Sequence, residues 1–264
     1  MCRLNAGIFF KFLFVKRPQN RTPIIIGRQP IIEALEAGKR IEKIFIQRGA
    51  TGDAIKSIKQ LARDRMVPFQ EVPQPKLLSF TQANHQGVVA LAGLINYYNL
   101  QDVIDQVVEK GESPLIVVLD GVTDVRNIGA IARSAFCCGA HAIVVPLKNS
   151  ATINEEAIKA SAGALEKIPV CRTTNIEQAL ETLQLNGIRI ASSVIDTDVK
   201  TFDVDWKDPV AVVMGAEGDG ISSETRKKTD VLFTIPMVAR FDSFNVSVAT
   251  GIILYEAMKQ RLFN

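Results

Sequence analysis

The chain has 264 residues, 47% hydrophobic and 22% charged, with a formal net charge of +3. That balance excludes an intrinsically disordered chain and is enough for one or two domains with full cores. The four cysteines (Cys2, Cys137, Cys138, Cys171) form no C-x-x-C pair and only two histidines accompany them, so neither a disulfide framework nor a metal site is expected, and a reduced, cytoplasmic protein is.

Charge is spread unevenly. Residues 1–95 carry 15 Lys and Arg against 6 Asp and Glu, a surplus of +9, whereas residues 96–264 carry 16 against 22, or −6. A basic front joined to a mildly acidic back points to a polyanion-binding module attached to a second unit, although a merely solvated surface has the same composition.

Residues 1–22 hold a short apolar run broken by Lys11 and followed by Lys16, Arg17 and Arg21. The run is too short to span a bilayer, and basic residues stand where a signal peptide needs small ones, so the segment reads as a tail. Residues 23–95 follow a β-α-β-α-β-α-β pattern. Ile24–Ile26 is a strand, and Pro30 sits in the first turn of a helix that Gly38 ends. A strand follows over 41–46. Asp53 is expected to cap a basic helix carrying Lys56, Lys59, Arg63 and Arg65, with strands near 67–72 and 88–94. His85, in the polar turn before the last strand, reads first as a turn residue. Residues 96–112 are polar and end in a breaker cluster, which marks a linker, with a helix over 102–109. Beyond it, residues 113–264 form a second domain. Apolar runs at 115–119, 142–145, 169–172, 188–194, 210–214 and 231–235 alternate with helical patterns. Such unbroken Val/Ile/Leu runs predict strands buried on both faces of a parallel sheet.

Three loops in this domain carry the chemistry. The first runs from Asp120 to Ser134, with Asn127 expected at a helix start, Gly129 after it, and Arg133 well inside an otherwise apolar helix. A capping Asn and a solvated Arg are the plainer account of that pair. The second is Met214-Gly215-Ala216-Glu217-Gly218-Asp219-Gly220, which ends a strand and opens a helix near Ser222. It is neither a Walker loop nor a dinucleotide fingerprint. Its glycines permit close backbone approach, and Glu217 sets it apart from an ordinary tight turn. The third is Ile235-Pro236-Met237 through Arg240, Asp242, Ser243, Phe244, Asn245 and Ser247. One capping residue for the last helix would explain Ser243 or Asn245, but not the whole set. Polar loops at the carboxyl ends of buried parallel strands are where open α/β sheets bind ligands.

In this order and at these separations the three motifs resemble the SpoU (TrmH-like) family of the SPOUT superfamily, whose members methylate RNA ribose 2′-hydroxyls with S-adenosylmethionine. The likeness covers all but the first twenty-odd residues and is greatest to members that methylate guanosine ribose in large-subunit (23S) ribosomal RNA. It implies an α/β fold with a small N-terminal RNA-binding domain (23–95) and a C-terminal parallel sheet holding a deep trefoil knot (113–264). It also implies a homodimer, no metal and no membrane. Arg133 would be the principal catalytic residue, with Asn127, Glu217, Ser243 and Asn245 around it. Gly215, Glu217, Gly218, Gly220, Ile235, Met237, Phe244 and Ser247 would hold the cofactor. Arg28, Lys39, Arg40, Lys56, Lys59 and His85 are the candidates for contact with RNA. Ala239, Asp242 and Phe244 depart from the usual Gly, Ser and Leu, which leaves substrate preference open. A transfer-RNA or resistance-type enzyme of the same chemistry is one alternative, and a non-catalytic RNA-binding protein with this fold is another.

Overall fold

The computed structural model describes residues 23–147, 150, 152–238 and 243–263. The expected tail, and Ala239, Arg240 and Asp242 of the third loop, lie outside them.

The N-terminal unit is built from β1 (Ile24–Ile26), α1 (Arg28–Glu36), β2 (Ile41–Gln47), α2 (Asp53–Asp64), β3 (Phe69–Val72), α3 (Gln74–Leu78) and β4 (Val88–Ala92). Its sheet runs β1-β4-β2-β3, with β4 antiparallel to both neighbours and β3 parallel to β2. Alternate residues of β2 face opposite sides, as the period of a strand requires. Ile44 and Ile46 pack with Ile31, Leu35, Ile55 and Ile58 of α1 and α2. Phe45 turns the other way, onto Leu77 of α3 and the Phe80 ring at 4.8 Å. Asp53 is the first helical residue of α2 and not its cap; Gly52 occupies that position at φ 109°, which a side chain would resist.

Next come β5 (Tyr97–Tyr98) and α4 (Leu100–Glu109), both within the stretch 96–112. β5 pairs with a strand of the second sheet, and Leu100, Val103, Ile104 and Val107, at helical spacing, bury against that sheet. The remaining elements are β6 (Leu115–Asp120), α5 (Val125–Cys137), β7 (Ala142–Pro146), α6 (Glu155–Ser161), β8 (Val170–Thr173), α7 (Ile176–Leu185), β9 (Arg189–Ser193), β10 (Val210–Gly215), α8 (Ser223–Lys228), β11 (Val231–Phe233) and α9 (Val246–Phe263). Seven strands form one parallel sheet in the order β11-β9-β10-β6-β7-β8-β5.

The unbroken apolar strands are explained by cover on both faces. Leu115, Val117 and Leu119 of β6 pack under α5 and α9, while Ile116 and Val118 pack under α4 and α7. Gly129 lets α5 and α6 approach closely, because a Cβ there would collide with the Ala157 carbonyl and the Ala160 side chain. Arg261 pins the far end of α9 by donating to the carbonyls of Ser113, Pro114, Trp206 and Asp208. Among the described residues, no helix is long and apolar enough to cross a membrane.

Candidate active site

β9, β10 and β11 all end at the same rim of the sheet, and a cavity of about 520 Å³ opens there. Its floor is the turn after β10. Ala216 and Gly220 exchange two backbone hydrogen bonds (2.9 and 3.0 Å), folding residues 216–220 into a tight loop with Glu217 at its start. Gly218 (φ 92°) and Gly220 (φ 70°) take conformations that L-residues resist. Gly215 is required for a different reason: a Cβ there would run into the backbone of Gly220 and Ile221. Ile235, Met237, Phe244 and Val246 supply apolar walls, and Ser243 joins the lining.

The three loops meet through side-chain amides. Asn127 Nδ2 donates to Glu217 Oε1 at 3.0 Å. Asn245 Nδ2 donates to the same oxygen at 2.6 Å and to Asn127 Oδ1 at 3.1 Å. These partners are 90, 28 and 118 residues apart in the chain. Asn245 also begins α9, because its Oδ1 accepts from Ser247 N (3.0 Å), Ser247 Oγ (2.6 Å) and Val248 N (3.4 Å). Its acceptor half therefore caps the helix and its donor half holds the carboxylate.

Asn127 is not the helix cap expected from the sequence. Asp124 takes that role by accepting from Arg126 N at 2.7 Å, so Asn127 falls in the first turn, buried, with its carboxamide released for Glu217. Arg133 lies further along α5, exposed, and is absent from the cavity lining. Ser247 is also outside the lining and acts through Asn245.

Several contributors were not singled out in the sequence. Asp120, at the end of β6, is buried, and its Oδ2 accepts from Ser222 N (2.7 Å) and Thr225 Oγ1 (2.6 Å), tying the first loop to the start of α8. Ser193 to Asp196 and Arg226 line the cavity beside the glycine loop. Arg226 grips Asp196 through both guanidinium nitrogens (3.2 and 2.8 Å), which holds that carboxyl below its ordinary range. Position was the available signal for Asp120 and for Ser193 to Asp196, which end or follow buried strands as the three recognised loops do, whereas Arg226, inside α8, offered none.

The expected RNA contacts are distributed over the N-terminal unit. Arg28 spends its guanidinium on the carbonyls of Gln86 (3.0 Å) and Thr51 (3.0 Å). Arg40 donates to Asn96 (2.7 Å) and the Leu94 carbonyl (3.2 Å). Lys56 meets Asp53 at 3.2 Å and Lys59 meets Glu71 at 2.7 Å, while Lys39 is exposed. His85 is buried, its Nδ1 accepting from Gly87 N at 3.0 Å, which is a turn residue's role. Among the described residues no cluster of His, Cys, Asp or Glu is placed to hold a metal ion.

Fold and site together define an open α/β protein with a small-ligand cavity at the carboxyl ends of parallel strands and a separate basic domain ahead of it. Residues 114–255 match the SpoU rRNA methylase family and residues 24–98 match the RNA 2′-O ribose methyltransferase substrate-binding domain. YacO of Bacillus subtilis (strain 168), assigned to the TrmH family of tRNA/rRNA methyltransferases, is 33% identical over 237 residues, covering 90% of this chain and 95% of that protein. A TrmH family relative in Staphylococcus aureus (strain MSSA476) is 35% identical over 240 residues, covering 90% and 96%. Among solved structures, the SpoU methyltransferase AviRb from Streptomyces viridochromogenes in complex with AdoMet is similar with a TM-score of 0.60 and 26% identity over 91% of each chain. The AdoMet-bound rRNA methyltransferase from Sinorhizobium meliloti gives 0.57 and 26%, covering 91% of this chain and 88% of that one. The chain belongs to the SpoU rRNA methylase family, and it is an RNA methyltransferase of the TrmH/SpoU type.

Proposed function

We propose that this protein transfers a methyl group from S-adenosylmethionine to a ribose 2′-hydroxyl of RNA, with a guanosine of large-subunit (23S) ribosomal RNA as the target. The observation that carries the reading is the joining of Asn127 and Asn245 to Glu217, which itself lines the 520 Å³ cavity. The cavity has the size of a small-molecule site. Its glycine floor at Gly215, Gly218 and Gly220 lets a ligand lie on the backbone, and the slot of Ile235, Met237 and Phe244 suits a purine ring. The related AviRb carries AdoMet in its solved complex. The basic domain matches the RNA 2′-O ribose methyltransferase substrate-binding family, which supports an RNA substrate, and we read it as a hold on ribosomal RNA in preference to a transfer RNA or a resistance-type site.

When bound, S-adenosylmethionine supplies an activated methyl carbon. The chain's own task is to place a sugar oxygen in line with that carbon and to ease loss of its proton. Glu217, held by two amides, is fixed in the cavity lining together with Ser243. Arg133 is permanently cationic, so its role is to grip the adjoining phosphate and lower the hydroxyl pKa, not to accept the proton. The domain of residues 23–95 holds RNA chiefly through phosphates, with Lys39, Arg40 and Lys56 exposed among the candidates and Lys59 half-buried beside Glu71.

The reading includes a homodimer. Val248, Ile252, Tyr255 and Leu262 form an exposed stripe at helical spacing on α9, beside α5, which carries exposed Phe136 and Arg133. A second copy covering that stripe brings Arg133 and a cavity toward a common cleft. The trefoil knot that the family resemblance implies is part of the proposal. A cytoplasmic location fits the same reading.

Calorimetric titration with S-adenosylmethionine, paired with methyl-transfer assays of Arg133→Ala, tests this. Binding within about twofold of the parent with turnover down about 100-fold is expected. Unchanged turnover, or no binding by the parent protein, would reject it.

A further inference from the structure

The joint between the two units is built from charge. Glu42 of β2 and Arg172 of β8 are 4% and 7% exposed and form an ion pair across it. Arg172 also donates to the Glu42 carbonyl at 3.3 Å. Its guanidinium lies 3.3 Å from the centre of the Tyr97 ring, and the Tyr97 hydroxyl donates to Glu42 Oε2 at 2.8 Å. Three elements from two sheets therefore close on one carboxylate.

Two details indicate that this arrangement aims a side chain and does more than fill space. The β2–β4 pairing slips in register between Ile41 and Lys43, so Glu42 sits at a bulge, a device that redirects a side chain. Burial is the largest influence on the Glu42 carboxyl and pushes it up, against the pull of Arg172 and Tyr97. A charge pair in such a place is weak evidence for stability, because apolar residues of similar volume serve that end as well. A planar guanidinium stacked on one ring and bonded to one carboxylate does fix an angle, which an apolar contact does not.

The position of the joint makes the angle matter. It lies at β5 and β8, one edge of the sheet, whereas the cavity is at the ends of β9, β10 and β11 toward the other. Four strand spacings separate β5 from β10, roughly 19 Å. A swing of about 5° at the joint shifts a point that far away by about 2 Å, and a misplacement of about 1 Å costs on the order of 100-fold in rate.

We propose that Glu42, Tyr97 and Arg172 are positioning residues that lock the RNA-binding domain to the sheet at one angle and so select which nucleotide meets the cavity. This rests on the reading of the cavity as the methyl-donor site and of residues 23–95 as the RNA-holding domain. The cluster acts as the fixed arm of a ruler. RNA is gripped by the basic domain, and the ribose presented for reaction is the one that lies at the set reach.

The test uses the full chain with nitroxides on Ser57→Cys and Glu177→Cys, with Cys2, Cys137 and Cys138 changed to serine. Inter-label distances are compared between this parent and a double variant, Glu42→Gln with Arg172→Met, which removes both charges together and so leaves neither one buried alone. The distance distribution is expected to broaden at least about twofold. S-adenosylmethionine affinity and the KM for RNA stay within about threefold, kcat falls about tenfold or more, and methyl groups appear on neighbouring nucleotides. An equally narrow distribution with the same single nucleotide methylated overturns the proposal. Should the double variant not fold, Arg172→Lys keeps the charge but loses the planar stack. Broadening in it supports the proposal and an unchanged width overturns it. A parent protein that methylates no RNA defeats the reading of the cavity, whereas the distance widths decide the joint without any RNA present.

Discussion

Asn245 donates from its Nδ2 and accepts at its Oδ1, two separate atoms that a carboxamide carries side by side. Its oxygen begins α9 and its nitrogen bridges Glu217 and Asn127. Asn245→Asp separates the two jobs. The carboxylate still caps the helix, so thermal stability is expected to change by less than about 1 kcal/mol, while repulsion of Glu217 lowers kcat/KM by about 100-fold. Equal losses of stability and activity in melting and methyl-transfer measurements would contradict this division. The residue types of the site were legible in the sequence because three polar loops each followed a buried strand. Their exact duties were not. Asn127 looks like a cap until Asp124 is seen to hold that place three residues earlier. Asp120 reads as the polar end of a strand, and only the fold brings Ser222 and Thr225 onto its carboxylate.

At the level of elements, helix–helix distance decides what the first loop can do. α5 carries Asn127 and Arg133, and its close packing on α6 depends on the missing side chain at Gly129. Gly129→Ala forces a methyl group into the Ala157 carbonyl and Ala160. A loss of about 1–3 kcal/mol is expected, read as a lower denaturation midpoint at unchanged m-value, with weaker methyl transfer because Asn127 moves with the helix. A midpoint equal to the parent's would show that the helices part freely. The strands were readable because short continuous Val/Ile/Leu runs, too brief for helices, suit a sheet covered on both faces. Gly129 could not be explained in the same way, since the reason for it lies on α6, nearly thirty residues away. The stretch 96–112 reads as a linker with a helix over 102–109; that helix is there, begins at Leu100, and buries Leu100, Val103, Ile104 and Val107, while Tyr97 and Tyr98 extend the sheet.

Across the whole molecule, the proposed reading gives a basic domain the holding of RNA and a mildly acidic one the presenting of a methyl donor. The charge asymmetry was visible in the sequence. The Glu42–Arg172 contact was not, because 130 residues separate partners that composition treats as ordinary surface charges. The exposed stripe on α9 predicts that Ile252→Glu shifts the protein from dimer to monomer in sedimentation velocity, with loss of methyl transfer, whereas a parent protein that is already a monomer would contradict the dimer. The central claim is that three distant loops clasp one donor site from which a ribose oxygen is methylated. It is tested most directly by incubating ribosomal RNA with labelled S-adenosylmethionine and locating the label, for the parent and for Glu217→Ala. The account predicts label on a ribose 2′-oxygen with the parent and about 100-fold less with the variant; label on a base, or equal incorporation by both proteins, would contradict it.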